Sequence, residues 1–426
     1  MRTFDVSTCS LMLAIIMLPA LSAKAQSIPA LPIADCYELA RKNYPLIRQK
    51  DLLAKAMEFT IANAQSGYLP QVAIYAQATY QSDVTRIPGP GALVEPLSKD
   101  QYKIYGEINQ NIFDGGVIKS LTALQQANAL VDQQKVEVEL YKIKERINQI
   151  FFGVLLLDAQ LDQVRLLKED LQSSLTKTES AIRNGTAFKS NADILQAELL
   201  KADQRVIEMR AARKAYLDML GYFINLSLNE SVTLEKPLTA ESEPDHVIKR
   251  PELTLYQFQS ELLGAQYKST GARNLPKLGF FVQGGYGRPA LNLLKNEFDY
   301  YYLGGFRLNW ALAGFYNSKR DKQLLDVNNQ LVNIQKDLFL FNTAITLKQQ
   351  SQEVTKLHEL IAVDNQIIDL RTRIKITSRS QHENGVISTS DFLRELNAED
   401  AARQNLLLHQ VQLMLAQFNY QNTIGN

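Results

Sequence analysis

Short segments of the chain alternate between apolar and polar positions. The first covers residues 71–81 and follows Leu69-Pro70, and a similar one follows Leu275-Pro276. A period of two residues predicts β-strands at about 70–82 and 276–288, with partner strands at about 102–113 and 300–312. One face of the first strand is apolar and consists of Val72, Ile74, Ala76, Ala78 and Tyr80.

The longer segments repeat their apolar positions at helical spacing. Helices are predicted at 33–66, at 115–183, after the turn Asn184-Gly185, at 248–272, at 317–383 and at 389–420. Inside the second helix the apolar positions step alternately by four and three residues, which is typical of a coiled-coil seam. These positions are Ile143, Ile147, Ile150, Val154, Leu157, Leu161 and Val164.

The order helix, strand, strand, long helical hairpin occurs twice, which indicates an internal duplication. We therefore divide the chain into a first repeat (26–226), a linker (227–247) and a second repeat (248–426). The hairpin tips are predicted at about 184–189 and 384–388. The predicted fold is mainly α-helical, with long coiled-coil hairpins and membrane β-strands.

The strands have the length and alternation of outer-membrane barrel strands, with aromatic residues near their ends. A soluble β-sandwich is the alternative interpretation. Four strands cannot close a barrel, and an open sheet edge is not tolerated in lipid. Two copies would give eight strands and an interior filled by side chains, whereas three copies would give twelve strands around a passage. We therefore expect a homotrimer with a 12-stranded β-barrel, extended by a helical barrel.

The composition and the first 25 residues exclude several classes of protein. Arg2, the apolar run 11–21 and Ala23-Lys24-Ala25 predict a signal peptide at 1–25. With 46 basic and 45 acidic residues, the chain has no basic field to attract nucleic acid. Once Cys9 leaves with the signal peptide, Cys36 stands alone, so neither a disulfide nor a thiolate metal site is expected. The four histidines are scattered, no enzyme motif is present, and we expect no catalytic activity and no cofactor.

Two segments carry a family resemblance. "ADCYELARKNYPLIRQKDLLAKAMEFTIANAQSGYLP" resembles the opening helix of the outer-membrane efflux protein (TolC) family, and "INQNIFDGG" resembles its second strand and the exit into the long helix. In the second half "RLNWALAGFY" occupies the corresponding place but lacks Asp-Gly-Gly. The resemblance covers essentially the whole mature chain.

This resemblance implies a trimeric exit duct in the outer membrane, with its helical barrel in the periplasm. It also implies docking of the hairpin tips onto a periplasmic adaptor and an inner-membrane transporter, in an efflux or type I secretion system. The tip residues would be Asn184, Gly185, Thr186, Asn384, Gly385 and Val386. The competing interpretation is that Asn-Gly only closes each hairpin, because glycine accepts positive φ.

The family also closes its aperture with aspartates just past the tips. Asp193 and Asp391 lie in those places, with the first tip two residues longer than the second, and Arg394 stands where a further acid would fall. Both aspartates end a Ser-x-x-Asp pattern, so a helix-capping role competes and is favoured. Two functional alternatives stay open: a periplasmic coiled-coil scaffold or adhesin without a pore, and a duct for protein secretion. The exported substrate is not encoded in this chain.

Overall fold

The computed structural model describes residues 30–85, 96–238 and 247–425. The predicted signal peptide lies outside the described residues, as do residues 239–246 of the predicted linker. The described elements, in chain order, are α1 (Ile33–Asn43), α2 (Ile47–Gln65), β1 (Gln71–Tyr80), β2 (Asp100–Phe113), α3 (Val117–Tyr141), α4 (Ile143–Arg183), α5 (Lys189–Ile224), α6 (Pro251–Ala272), β3 (Lys277–Arg288), β4 (Asp299–Asn309), α7 (Gly314–Glu383) and α8 (Thr389–Ile424).

The order of these elements confirms the predicted fold class and its internal duplication. Each half passes from helix through two strands into a helical hairpin, and the hairpins are α4–α5 and α7–α8. Helix α7 has 70 residues and is therefore about 105 Å long. In the described part of the chain, no helix is both long enough and apolar enough to cross a bilayer.

Two of the predicted helices are interrupted, and strands β1 and β4 both end before their predicted limits. The helix predicted at 33–66 breaks at Tyr44, whose extended backbone follows from its place before Pro45. The helix predicted at 115–183 is divided at Lys142, which keeps helical dihedral angles, so the break is a local irregularity. Strand β4 ends at Asn309, before the predicted limit of 312.

In the described residues the strands form one antiparallel sheet in the order β1-β2-β3-β4. The register aligns the apolar faces, because Val72 lies opposite Ile108, which in turn lies opposite Val282. This face is exposed in the single chain, with Ile74 79% exposed. Strands β1 and β4 form the two edges of the sheet, so their outer backbone groups face away from the described strands.

The opposite face of the sheet carries polar side chains at its centre. The Glu107 carboxylate accepts hydrogen bonds from Asn109 Nδ2 at 2.5 Å and from Arg307 NH1 at 3.3 Å, and it also contacts Gln283. The Arg307 guanidinium lies 4.4 Å from the centre of the Phe281 ring. One face therefore suits lipid and the other suits a wet interior, as the alternation predicts.

The main core lies where α1, α4, α5 and α8 meet, at the root of the helical hairpins. The predicted seam of α4 is buried at Ile143, Ile147, Ile150, Val154 and Val164. Cys36 is buried in the same core, and burial raises the pKa of its thiol to about 12, so the thiol stays protonated. A second, smaller core lies near the tips and joins α4, α5 and α8 through Leu171, Leu195, Phe392 and Leu396.

Candidate functional site

Both hairpin tips end in the same backbone motif. Gly185 and Gly385 each have φ of +73°, a conformation that glycine adopts without strain. At the first tip Gly185 N donates to Ile182 O at 3.0 Å and Thr186 N donates to Ala181 O at 2.9 Å. The second tip repeats this pair of bonds through Gly385 and Val386. This is a Schellman motif, which satisfies the last carbonyls of α4 and α7.

The two tips have equal length, which corrects the prediction that the first is two residues longer. Helices α5 and α8 begin at Lys189 and Thr389, so position 188 corresponds to position 388. The Ser-x-x-Asp pattern at Ser190 predicts a cap there, but Ser190 lies inside α5. Asp391 therefore corresponds to Asn191, and Asp193 corresponds to the buried Leu393.

The structure places every predicted docking residue at the exposed tips. Asn184, Gly185, Thr186, Asn384, Gly385 and Val386 are all exposed. Sequence reasoning missed Phe188, which is 80% exposed, whereas Val386 on the other tip is 70% exposed. Each tip thus presents an exposed apolar side chain near a glycine turn.

Ion pairs hold the two tips side by side. Lys177 of α4 lies 2.6 Å from the carboxylate of Glu383, at the end of α7. Further from the tip, the Asp170 carboxylate accepts from Lys375 Nζ at 3.2 Å and from Arg379 NH2 at 2.7 Å. The first helix of each hairpin is therefore tied to its counterpart in the other hairpin.

The two predicted gate aspartates do not occupy corresponding positions in the two tips. Ser388 caps α8, because its Oγ accepts from the N–H of Asp391 at 3.1 Å, and the Asp391 carboxylate accepts from the same hydroxyl at 2.7 Å. This hydrogen bond lowers the pKa of Asp391. Arg394 NH1 lies 3.4 Å from Asp391 Oδ1, and Asp193 is exposed on α5. At the first tip, α5 begins at Lys189, and its N-cap residue Phe188 provides no side-chain cap, so the capping box predicted at Ser190 is wrong.

A buried charged cluster, which the sequence analysis missed, lies behind the tips. Glu399 and Asp400 of α8 are each 3% exposed. Glu399 pairs with Lys375 of α7 at 3.3 Å and also contacts Arg403. Asp400 accepts from Gln163 of α4 at 3.0 Å and from Arg205 of α5 at 3.4 Å. Burial raises the pKa of the Asp400 carboxyl.

A signal for this cluster exists in the sequence. In α8 the buried apolar positions 392, 393 and 396 predict that 399 and 400 continue the same face, yet both carry acids. Acids at positions that helical spacing assigns to the interior indicate buried, paired charges. The described residues contain no group of three His, Cys, Asp or Glu side chains arranged to hold a metal ion.

Comparison with known proteins shows which proteins share this architecture. Residues 36–220 match the family described as outer membrane efflux protein. The fold is similar to the outer membrane protein VceC of Vibrio cholerae (12% identity, TM-score 0.65, 92% of this chain and 94% of VceC covered). It is also similar to the Campylobacter jejuni CmeC outer membrane channel (12% identity, TM-score 0.64, 92% and 85% covered).

A third similar structure is the open state of the Neisseria gonorrhoeae MtrE outer membrane channel (11% identity, TM-score 0.63, 92% and 89% covered). No match was found among curated protein sequences.

Proposed function

We propose that this chain is a member of the outer membrane efflux protein family, whose model matches residues 36–220, and we infer its function from that family. The chain serves as an efflux duct in the outer membrane, and its helical barrel extends into the periplasm. We propose further that it is the exit duct of a tripartite system, which receives substrates from an inner-membrane transporter through a periplasmic adaptor. The observation that carries this proposal is a sheet with one lipid-type face, attached to helical hairpins that end in exposed tips.

The unpartnered surfaces of the single chain support assembly as a trimer. An apolar stripe on α7, which we call the α7 seam, steps alternately by three and four residues, as coiled-coil contacts do. Its side chains are all exposed in the single chain and would be covered by neighbouring helices in the assembled barrel. The α7 seam consists of Leu324, Val327, Leu331, Ile334, Leu338, Phe341 and Ile345.

The unpaired edges of the sheet also favour a trimer. Strands β1 and β4 end the described sheet, and lipid offers no hydrogen-bond partners to an unpaired strand edge. Pairing β4 of one copy with β1 of the next is a head-to-tail contact, which closes into a ring. Three copies would give a twelve-stranded barrel wide enough for a passage.

We propose that the adaptor docks on the six tip residues from Asn184 to Thr186 and from Asn384 to Val386. They are exposed at the ends of the long hairpins, where a periplasmic partner can reach them. The glycine turns give both tips the same backbone, so a repeated partner could recognise both. The aperture role of Asp193, Asp391 and Arg394 is not favoured, because the Asp391 carboxylate is hydrogen-bonded to the capping residue Ser388, and Asp193 corresponds to Leu393 rather than to Asp391.

The test is the double variant Gly185→Val, Gly385→Val, in which a β-branched residue at positive φ distorts both tips. We expect efflux of a fluorescent dye from cells to fall, while the purified protein keeps its trimeric mass. Gly264→Val is the matched control, since Gly264 is exposed in α6 with no described atom within 4 Å of a Cβ there. Normal efflux in the double variant would contradict the docking assignment.

The alternative of a periplasmic scaffold or adhesin without a pore is not favoured by any observation, since it gives the lipid-type face of the sheet no role. A duct for protein secretion shares every feature described above. We propose small-molecule efflux because the matched family is described by efflux.

A further inference from the structure

The apolar face of the sheet contains a notch. Gly106 and Gly284 are direct partners across β2 and β3, and both lie on this face. No described atom lies within 4 Å of the position where a Cβ would be placed at either residue. The chain's own packing therefore does not require glycine here, yet two adjacent positions lack side chains. The notch has a volume of about 630 Å³.

The walls of the notch are apolar and face outward. Ile74 and Tyr302 flank the glycine pair in the same row of the sheet, and Tyr302 is 85% exposed. Ile104 and Tyr286 form the next row, towards the loop end of the strands. Since this is the face that meets lipid, the occupant that fits the notch is an acyl chain.

The positively charged side chain of Arg288 lies on the same face as the notch, nearer the loop end of the strands. Arg288 ends β3 opposite Tyr102, at the end of the sheet away from the helices. Gly284 is four residues away along the strand, or about 13 Å. The Arg288 guanidinium lies 5.7 Å from the ring centre of Tyr102 and 5.2 Å from that of Phe298, so aromatic rings fix its position.

Arg288 keeps hydrogen-bond donors for a ligand. Its NH2 group donates to Asp100, at 2.5 Å to the carboxylate and 3.2 Å to the backbone carbonyl. Its buried Nε–H has no hydrogen-bond partner among the described residues. Guanidinium groups bind phosphate through paired N–H donors, and Asp100 occupies only one side of this group.

We propose that the Gly106–Gly284 notch and Arg288 form one site for a phosphorylated, acylated glycolipid of the outer leaflet. Its phosphate binds Arg288 and one acyl chain fills the notch. The assignment to the outer leaflet follows from the helices, which mark the periplasmic end of the sheet. Exposed aromatic rings at the rim, such as Tyr300, offer flat surfaces to a sugar headgroup. All the residues of the site belong to the sheet of one protomer. Lipid binding at this site can therefore be measured without an export assay.

The test measures lipid retained by the purified, delipidated protein. The protein in detergent is incubated with bis-phosphorylated lipid A, passed over a sizing column, and its bound phosphorus is counted. We expect Gly284→Leu, which fills the notch, and Arg288→Gln, which removes the charge, each to lower retention about tenfold. Leu308→Phe is the matched control, because it adds bulk to the same exposed face at the end of the sheet away from Arg288 and the notch, and should retain lipid normally.

A second notch variant and a control lipid distinguish the possible results. Gly106→Leu fills the notch from the neighbouring strand and replaces Gly284→Leu if that variant does not fold. Phosphatidylethanolamine should be retained weakly by all the proteins. Equal retention of lipid A by wild type and every variant would overturn the proposal and identify the lipid as annular. Loss in the glycine variants with full retention in Arg288→Gln would overturn the joint site.

Discussion

Positions 188 and 388 have the same place in the two tips but carry different side chains. Ser388 caps α8 by accepting from the N–H of Asp391, whereas Phe188, the N-cap residue of α5, makes no side-chain capping hydrogen bond. The first tip therefore lacks a stabilising side-chain cap and exposes an aromatic ring. The sequence predicted the cap at Ser388 but also at Ser190, because the same Ser-x-x-Asp pattern occurs at both. The start of a helix depends on backbone contacts that the pattern does not contain.

Removal of the cap should loosen α8 at its start. We expect Ser388→Ala to lower the local free energy of opening by about 1 kcal/mol, measured by hydrogen exchange of the amides of residues 389–392. The matched control is Ser190→Ala inside α5, which should change local stability by less than about 0.5 kcal/mol. Equal effects of the two variants would contradict the assignment of the cap.

At the scale of elements, the hairpins pack through apolar seams and one charged layer. The α4 seam was predicted from alternating steps of four and three, and five of its seven positions are buried, because local periodicity determines which face of a helix is apolar. The charged layer of Glu399 and Asp400 was not predicted. Its partners Gln163, Arg205 and Lys375 lie far away in sequence, so only the packing of four helices shows how the charges are satisfied.

The raised pKa of Asp400 makes a prediction about pH. A carboxyl whose folded-state pKa exceeds its unfolded value binds a proton more tightly in the folded state, so its burial penalty is present at neutral pH and disappears as the pH falls through the folded pKa. Asp400→Asn should therefore have its most favourable stability relative to wild type at neutral pH, with this advantage shrinking on acidification. Neighbouring Arg205 and Glu399 stay in place in the variant.

Thermal unfolding of Asp400→Asn and wild type across a pH series measures this difference. The control is Asp162→Asn, whose side chain is 78% exposed and whose stability relative to wild type should depend little on pH. A difference between Asp400→Asn and wild type that stays constant with pH would contradict the burial argument.

At the scale of the whole molecule, a single chain leaves its largest apolar surfaces uncovered. The α7 seam, the lipid-type face and the two sheet edges all lack partners within the described chain. The sequence was sufficient to predict the duplication, the strands and the need for further copies, since these follow from periodicity and from the cost of open edges in lipid. The kink at Tyr44 follows from Pro45, but the equal length of the tips depended on helix starts that only coordinates show.

The central claim is that copies of this chain pool their strands into one barrel. The most direct measurement is the protein mass of the detergent-extracted complex, obtained by light scattering on a sizing column and corrected for bound detergent. The account predicts three chains per particle. A monomer, or a species that stays soluble without detergent, would contradict it.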